Sequence, residues 1–297
     1  MRLAYDIVDV FTGRPFAGNQ LAVVHGAGGL SSRQCQAIAH EFNFSETTFP
    51  VPRSDHDYDV RIFTPTTEIP FAGHPTLGTA WVLRSRGELA GLGVVTQHCT
   101  AGDIEVRFTG ASAVELSAPP RDSVGHDGRF VSRLLADLGL FPSDLDGQVW
   151  LSGCGLTFAH VPVVDDALGR VHVPSRTLSE YDDQPVVNDP LDGVNVYAVT
   201  GGTGEDVLRV HARVFVQGLS VPEDPATGSA AAGLGIALVE TGRLPAGGRY
   251  RIRQGLEMGR PSTLDGRVDV GADGRPVLCH VAGDVQVVAG GEIVVPA

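Results

Sequence analysis

The sequence predicts a β-rich α+β fold built from two homologous halves, each wrapping sheet around one central helix. Three observations predict it. The first is an internal duplication: Glu68-Ile69-Pro70-Phe71-Ala72-Gly73-His74-Pro75-Thr76-Leu77-Gly78 recurs, at a constant offset of 155 residues, as Glu223-Asp224-Pro225-Ala226-Thr227-Gly228-Ser229-Ala230-Ala231-Ala232-Gly233. Glu68, Pro70, Gly73 and Gly78 match Glu223, Pro225, Gly228 and Gly233. Leu83, Gly87 and Leu89 then match Leu238, Gly242 and Leu244 without a gap. Repeats of this kind signal duplicated structural units. The second is the local pattern within each repeat, a strand followed by a glycine loop and then a helix apolar around most of its circumference, as a buried helix is. The third is the remainder of the chain, which is mostly short β-branched and aromatic runs separated by turn residues.

In chain order, Tyr5 to Phe11 and Gln20 to His25 read as strands, joined through the turn Arg14-Pro15-Phe16-Ala17-Gly18-Asn19. Ser31 or Ser32 caps a helix whose apolar stripe is Cys35, Ile38, Ala39 and Phe42, the spacing of one helical face. Phe44 to Val51 alternates like a strand, and Arg61-Ile62-Phe63 and Arg213-Val214-Phe215 are matching strands of the two halves. The central helices run from Thr76 to Arg86 and from Ser229 to Thr241, with Gly87 and Gly242 at the C-terminal cap positions. Further strands are expected at Val94 to Gln97, Ile104 to Phe108 and Val114 to Leu116. A linker is expected at Ala118 to Ser123, a surface helix at Phe130 to Leu138, and closing strands from Val285 to Val295. The division is therefore residues 1–118 with a C-terminal strand at 285–297, and residues 119–284, with the active site in the cleft between the two domains.

Composition limits the chemistry. All 22 basic residues are arginine, so the chain has no lysine for a Schiff base, a pyridoxal phosphate anchor or a Walker A loop. Against them stand 35 acidic residues and a net charge of −13, which excludes tracking a nucleic acid backbone or an anionic membrane by bulk charge. Cys35, Cys99, Cys154 and Cys279 show no C-x-x-C spacing, so neither a disulfide framework nor a zinc site is expected, and a reducing cytoplasm suits them. No secretory leader and no membrane-spanning helix are expected.

Few groups remain that could do chemistry. A glycine-rich turn opening a helix offers backbone N–H groups and the positive end of the helix dipole to a carboxylate or phosphate. The same glycines could instead serve only close helix–sheet packing. His74 lies at the first loop tip and Ser229 at the second, where it could cap the helix or donate to a ligand. Asp224 has no acidic counterpart, Ile69 standing in its place, and could act as a helix cap. Glu46, in an apparent strand with Phe44 and Phe49 nearby, is open to two readings. It is either a solvated edge residue or a partly desolvated carboxylate suited to acid/base work. Gly153-Cys154-Gly155 looks like an exposed nucleophile, but no histidine can be assigned to it, and a small core residue is the simpler reading of Cys154.

These residues resemble the phenazine-biosynthesis isomerase (PhzF-like) family over nearly the whole chain. The resemblance is carried by Asp9-Val10-Phe11-Thr12, Phe16-Ala17-Gly18-Asn19, Phe44-Ser45-Glu46-Thr47, the two repeated segments, and Gln254-Gly255 with Gly259-Arg260-Pro261-Ser262. It implies a diaminopimelate-epimerase-like fold, two β-barrel-like domains each enclosing a helix and flanking the active site. It implies that Glu46 is the acid/base residue and that His74, Asp224 and Ser229 line the site; the expected catalytic set is Glu46 with His74 and Asp224, which would orient the substrate or relay the proton. Asn19, Ser45, Gly73, Thr227 and Gly228 complete the expected substrate contacts. Related epimerases use two cysteines as paired bases, but the matching positions here are Ala72 and Thr227, which excludes a two-thiol epimerase. Asn19-Gln20 departs from the Asn-Pro common in the family.

The expected function is a cofactor-independent isomerase that moves a proton within a small carboxylic acid, cyclic or amino-acid-derived, with no cofactor and no metal. The resemblance also implies a homodimer. The alternatives are an epimerase or racemase without catalytic cysteines, and a noncatalytic ligand-binding or scaffold protein of the same fold.

Overall fold

The computed structural model describes residues 1–90, 93–176, 191–202, 206–216 and 222–297. The chain forms two compact units, Met1–Leu116 with Ala282–Ala297, and Ser117–Val281.

The first unit contains β1 (Arg2–Val10), β2 (Asn19–Val24), α1 (Ser32–Phe42), β3 (Glu46–Pro52), β4 (Asp57–Phe63), the short β5 (Glu68–Ile69), α2 (Gly73–Ser85), β6 (Val94–Cys99), β7 (Gly102–Phe108) and most of β8 (Ala113–Ala118). The latter part of the final strand, β16 (Pro276–Val294), completes it. Strand order is β1-β2-β3-β4-β6-β7-β8-β16, and β16 also pairs with β1, from Arg2 opposite Val294 to Val10 opposite Val285. Eight strands thus close into a ring, which leaves no free sheet edge among them. Inside it α2 buries His74, Thr76, Leu77, Thr79, Ala80, Val82 and Leu83, and Gly78 brings the helix close to β1 and β2. A Cβ on Gly78 would stand 2.5 Å from Leu21 and 2.9 Å from Val10. Outside, α1 covers a cluster including Val24, Cys35, Ile38, Phe49 and Phe63. Ser31 is its N-cap in a capping box with Gln34, and Asn43 ends it at a φ of 52°.

The second unit contains β9 (Val124–His126), α3 (Gly128–Asp137), β10 (Val149–Cys154), β11 (Leu156–Pro162), α4 (Asp165–Leu168), β12 (Gly193–Gly201), β13 (Val207–Val216), α5 (Gly228–Glu240), β14 (Gly248–Gln254) and β15 (Ser262–Val270). The order is β16-β15-β14-β13-β12-β11-β10-β9. α5 packs against β10 and β11 near one end of that order and against β15 near the other, so the sheet curls around it. Every residue of α5 from Ala230 to Val239 is buried. The face of α3 formed by Phe130, Val131, Leu134 and Leu135 joins Leu151, Val161, Val194 and Phe215 in a second layer of core.

The two units repeat each other in detail. In both, the second and third strands of the series pair in parallel, Leu21 opposite Glu46 and Phe158 opposite Gly193. In both, the third and fourth pair antiparallel, Thr47 opposite Phe63 and Val194 opposite Phe215. Arg61 donates to Glu68 through Nε and Nη2, as Arg213 does to Glu223. Gly87 and Gly242, at φ of 75° and 71°, follow the central helices as the cap glycines.

Several elements differ from the sequence reading. The central helices begin at Gly73 and Gly228, three residues and one residue earlier than expected; in the first, Pro75 is tolerated within the first turn, where its missing N–H has no intrahelical partner. His74 is therefore a buried helical residue and not an exposed loop tip. The closing segment is one long strand that starts at Pro276. Ala118 ends β8, and the expected linker is tied to the second unit, the Arg121 N–H donating to the Gly153 carbonyl at 2.9 Å.

Candidate functional site

β3 opens on Glu46, directly after the left-handed turn at Asn43 that ends α1. Side chains alternate along a strand, so Glu46 and Thr48 share a face. Thr48 Oγ1 lies 2.8 Å from Thr79 Oγ1 of α2, which shows that this face looks at the central helix. Glu46 is thereby buried, at 6% exposure. The phenylalanines invoked for its desolvation do not supply it. Phe49 packs edge-to-face on Phe63 in the α1 cluster, and Phe44 stacks on Phe42.

His74 provides the contact instead. Its Nδ1 lies 3.4 Å from Glu46 Oε2 and 3.3 Å from Asn19 Nδ2, while its Nε2 lies 3.2 Å from the carbonyl oxygen of Gln20. Burial pushes the imidazole down to about 3, so the ring is neutral at ordinary pH. Asn19, Glu46 and His74 are thus brought together by the starts of β2, β3 and α2. Gly73 begins α2, whose N-cap, Ala72, gives no side-chain hydrogen bond to the first turn. Ser45, half-buried, immediately precedes Glu46.

The second unit carries the other expected residues. Thr227 is the N-cap of α5, and its Oγ1 donates to Asp224 Oδ2 at 2.5 Å. Ser229 is not the cap; it lies in the first turn beside Gly228, both half-buried. The Asp224 N–H donates to the Val214 carbonyl at 2.9 Å. Gln254 ties this corner together, its Nε2 donating to the Asp224 carbonyl at 2.8 Å and to Thr227 Oγ1 at 3.1 Å. Gln254 had been given no role in the sequence reading. Its signal was readable: in Arg249-Tyr250-Arg251-Ile252-Arg253-Gln254 the buried series ends on an amide.

The register identifies the counterpart of Glu46 in the second unit as Gly193. Its site is closed to a side chain, since a Cβ there would meet the Phe158 ring and the Phe215 carbonyl, both at 2.7 Å. The duplicated scaffold therefore carries this carboxylate once. Cys154 is buried, and both the neighbouring Cys279 thiol and burial push its own thiol up, away from nucleophilic use. Among the described residues no three His, Cys, Asp or Glu side chains gather in a way that could hold a metal ion. No helix there is long and apolar enough to cross a membrane.

A closed ring of strands around one helix, repeated as a second curled sheet around another, with histidine and carboxylate at a helix start, defines the class: an epimerase-like α+β isomerase fold. The chain belongs to the phenazine biosynthesis-like (PhzC-PhzF) protein family, whose model matches residues 8–291. It is 36% identical over 273 residues to trans-2,3-dihydro-3-hydroxyanthranilate isomerase of Pseudomonas chlororaphis, covering 91% of both chains. It is 35% identical to the isomerase of that name from Pseudomonas aeruginosa, covering 94% of this chain and 95% of that one. Among solved structures, a PhzF-family protein of Bacillus anthracis superposes with a TM-score of 0.84 at 23% identity, covering 99% of each chain. A proline racemase-type protein of Agrobacterium radiobacter shares the fold at a TM-score of 0.62 and 13% identity, covering 99% of this chain and 93% of that one. The chain is an isomerase.

Proposed function

We propose that this isomerase moves a proton within a small carboxylic acid, cyclic or amino-acid-derived, without a cofactor, using Glu46 as its acid/base group. The observation that carries the proposal is the buried Glu46 carboxylate 3.4 Å from a neutral imidazole. A carboxyl group out of water and beside a hydrogen-bonding partner can both give and take a proton at carbon. One such group, with glycine at the equivalent position of the second unit, suits a proton carried from one carbon to another by a single side chain.

The relatives named above act on trans-2,3-dihydro-3-hydroxyanthranilate, a cyclic amino acid, which makes it the first compound to assay here. We assign the substrate carboxylate to the first-turn amides at Gly73 or Gly228, with Asn19, Ser45, Thr227 and Ser229 as further contacts. Asp224 and His74 complete the catalytic set, orienting the substrate or relaying the proton. In this reading both sets of residues act on one substrate molecule, in a cytoplasmic homodimer. A second reading, epimerisation, draws on Asp224, a buried carboxylate in the repeated loop that could serve as the second group such chemistry needs. The chirality of the product separates the two.

The test is turnover of trans-2,3-dihydro-3-hydroxyanthranilate in deuterated water by the native enzyme and by Glu46→Gln. Loss of an acid/base group should lower kcat about 10²–10⁴-fold and abolish deuterium incorporation. Undiminished turnover and incorporation would remove Glu46 from the chemistry.

A further inference from the structure

Gln254 is buried at the end of β14, at 1% exposure, and its partners let the amide sit only one way round. Nε2 lies 2.8 Å from the Asp224 carbonyl oxygen, which can only accept, so the NH₂ group stands there. Its other hydrogen goes to Thr227 Oγ1 at 3.1 Å, and Oε1 accepts from the Thr227 N–H at 3.4 Å. The buried Thr227 hydroxyl thus receives one hydrogen and has its own to give. The acceptor is Asp224 Oδ2, at 2.5 Å. Thr227 is the N-cap of α5, yet its side chain makes no capping bond, because the hydroxyl is turned to Asp224. The helix forgoes the stabilisation that a threonine cap supplies.

The first unit shows what the scaffold needs by itself. Gln97, on the matching strand β6, also braces the start of a central helix. Tyr58 OH donates to its Oε1 at 3.0 Å, and its Nε2 donates to Thr76 Oγ1 at 2.8 Å. The Thr76 hydroxyl then ends on main chain, at the Ala72 carbonyl, 2.8 Å away. The counterparts of Asp224 and Thr227 are Ile69 and Ala72, neither of which has a polar side chain. A strand glutamine that braces the central helix is therefore common to both units. A brace that ends on a carboxylate belongs to the second alone, so helix packing does not account for it.

We infer that Gln254 and Thr227 are positioning residues for Asp224: the glutamine amide fixes the direction of the threonine hydroxyl, whose hydrogen pins Oδ2 of the carboxylate in the orientation that meets the substrate. The inference rests on the placing of Asp224 at the substrate in the proposed function. An aspartate side chain turns about its two side-chain bonds, and a fixed donor on one oxygen removes that freedom before the substrate arrives. The same donor makes Oδ2 an acceptor, which favours the ionised carboxylate. Thr227 has its hydroxyl hydrogen committed in this way, so it acts on the substrate through Asp224.

The test has a ligand-free arm and a kinetic arm, both on the full-length protein. With ¹³C-labelled aspartate, the carboxyl signal that Asp224→Asn removes should shift in Thr227→Val and also in Gln254→Met, near-isosteric changes that delete the donors. In turnover of trans-2,3-dihydro-3-hydroxyanthranilate, Thr227→Val should raise KM and lower kcat. The expected loss in kcat/KM is about 10–100-fold, that of a hydrogen bond to a charged group. Partial misfolding would lower kcat with KM unchanged. Thr227→Ser, which keeps the hydroxyl, should recover most of the loss. In the Asp224→Asn background Thr227→Val should add little, since the group it positions is already altered. Should Thr227→Val fail to fold, Gln254→Met takes its place in the cycle. An unmoved carboxyl signal, or losses that simply multiply in the double variant, would overturn the inference. Either result alongside an inactive Glu46→Gln would leave the proposed function standing, so the two failures are distinguishable.

Discussion

Arg213 clasps Glu223 in a bidentate fork, Nε to Oε1 at 2.9 Å and Nη2 to Oε2 at 2.8 Å, and its Nη1 donates to the carbonyls of Leu168 and Val171 at 3.1 and 2.8 Å. Its counterpart in the other unit, Arg61 with Glu68, has the same fork at 2.7 and 2.6 Å. The difference is water: side-chain exposure is 9% and 11% for the Arg213 pair and 36% for each member of the Arg61 pair.

That difference sets unequal costs for equal mutations. Glu223→Gln leaves a buried guanidinium without its counter-charge and should cost about 3–5 kcal/mol. Glu68→Gln, at a solvated pair, should cost about 0–1 kcal/mol. Urea denaturation of the two variants measures both, and equal losses would contradict the burial argument.

The glycines that let the central helices approach the sheet should not tolerate a methyl group. In Gly233→Ala the new Cβ would stand 2.9 Å from His160 Nε2 and 3.0 Å from the Ser152 carbonyl oxygen, where main chain cannot yield cheaply. In Gly78→Ala the nearest atom is the end of the Leu21 side chain, which can rotate. We expect each to destabilise by about 1–3 kcal/mol, with Gly233→Ala the worse. Thermal unfolding gives the order.

Acid should destabilise the fold through its buried histidines. Burial pushes His74 and His160 from 6.5 down to about 3, whereas in the unfolded chain each takes a proton near 6.5. The unfolded state therefore binds more protons between these values. Their contribution to stability is fully present above 6.5 and is lost as pH falls toward 3, by about 1.4 kcal/mol per pH unit for each histidine. Urea unfolding from about pH 7.5 down to about 4.5 should show this slope, and His160→Asn should reduce it by the share of one proton. A slope unchanged in the variant would remove His160 from the account.

Thiol labelling should separate the cysteines. Cys35, Cys154 and Cys279 are buried and Cys99 is partly exposed. Burial raises the Cys35 thiol, and burial with the Cys279 thiol raises Cys154. In the native protein iodoacetamide should modify Cys99 first, the other three following only on unfolding. Rapid native modification of Cys154 would reopen it as a nucleophile.

Much of the architecture was written locally. The apolar circumference of the central helices, the glycines after them and the repeated Glu-x-Pro-x-x-Gly are properties of short segments, and they fix a duplicated strand–loop–helix unit. The composition likewise excluded chemistry that needs lysine. Where the reading went astray, the cause was non-local. The first central helix starts before Thr76 because Pro75 can sit in a first turn, where a backbone N–H would have no intrahelical partner. Glu46 was given the wrong neighbours because Phe49, three residues on, falls on the other face of the strand. Gln254 lies 30 residues from Asp224, and only the pairing of β13 with β14 brings them together.

The sequence by itself thus determined the duplication, the two buried helices and which residue types were available for acid/base work. The tertiary structure decided which of them meet. His74 and Glu46 are 28 residues apart in the chain and 3.4 Å apart in space, because strand pairing and helix burial, and no local propensity, set that distance. It also decided that the carboxylate occurs once. The glycine opposite Phe158 reads as any other glycine until the register places it where Glu46 stands in the first unit, with the Phe158 ring filling its space.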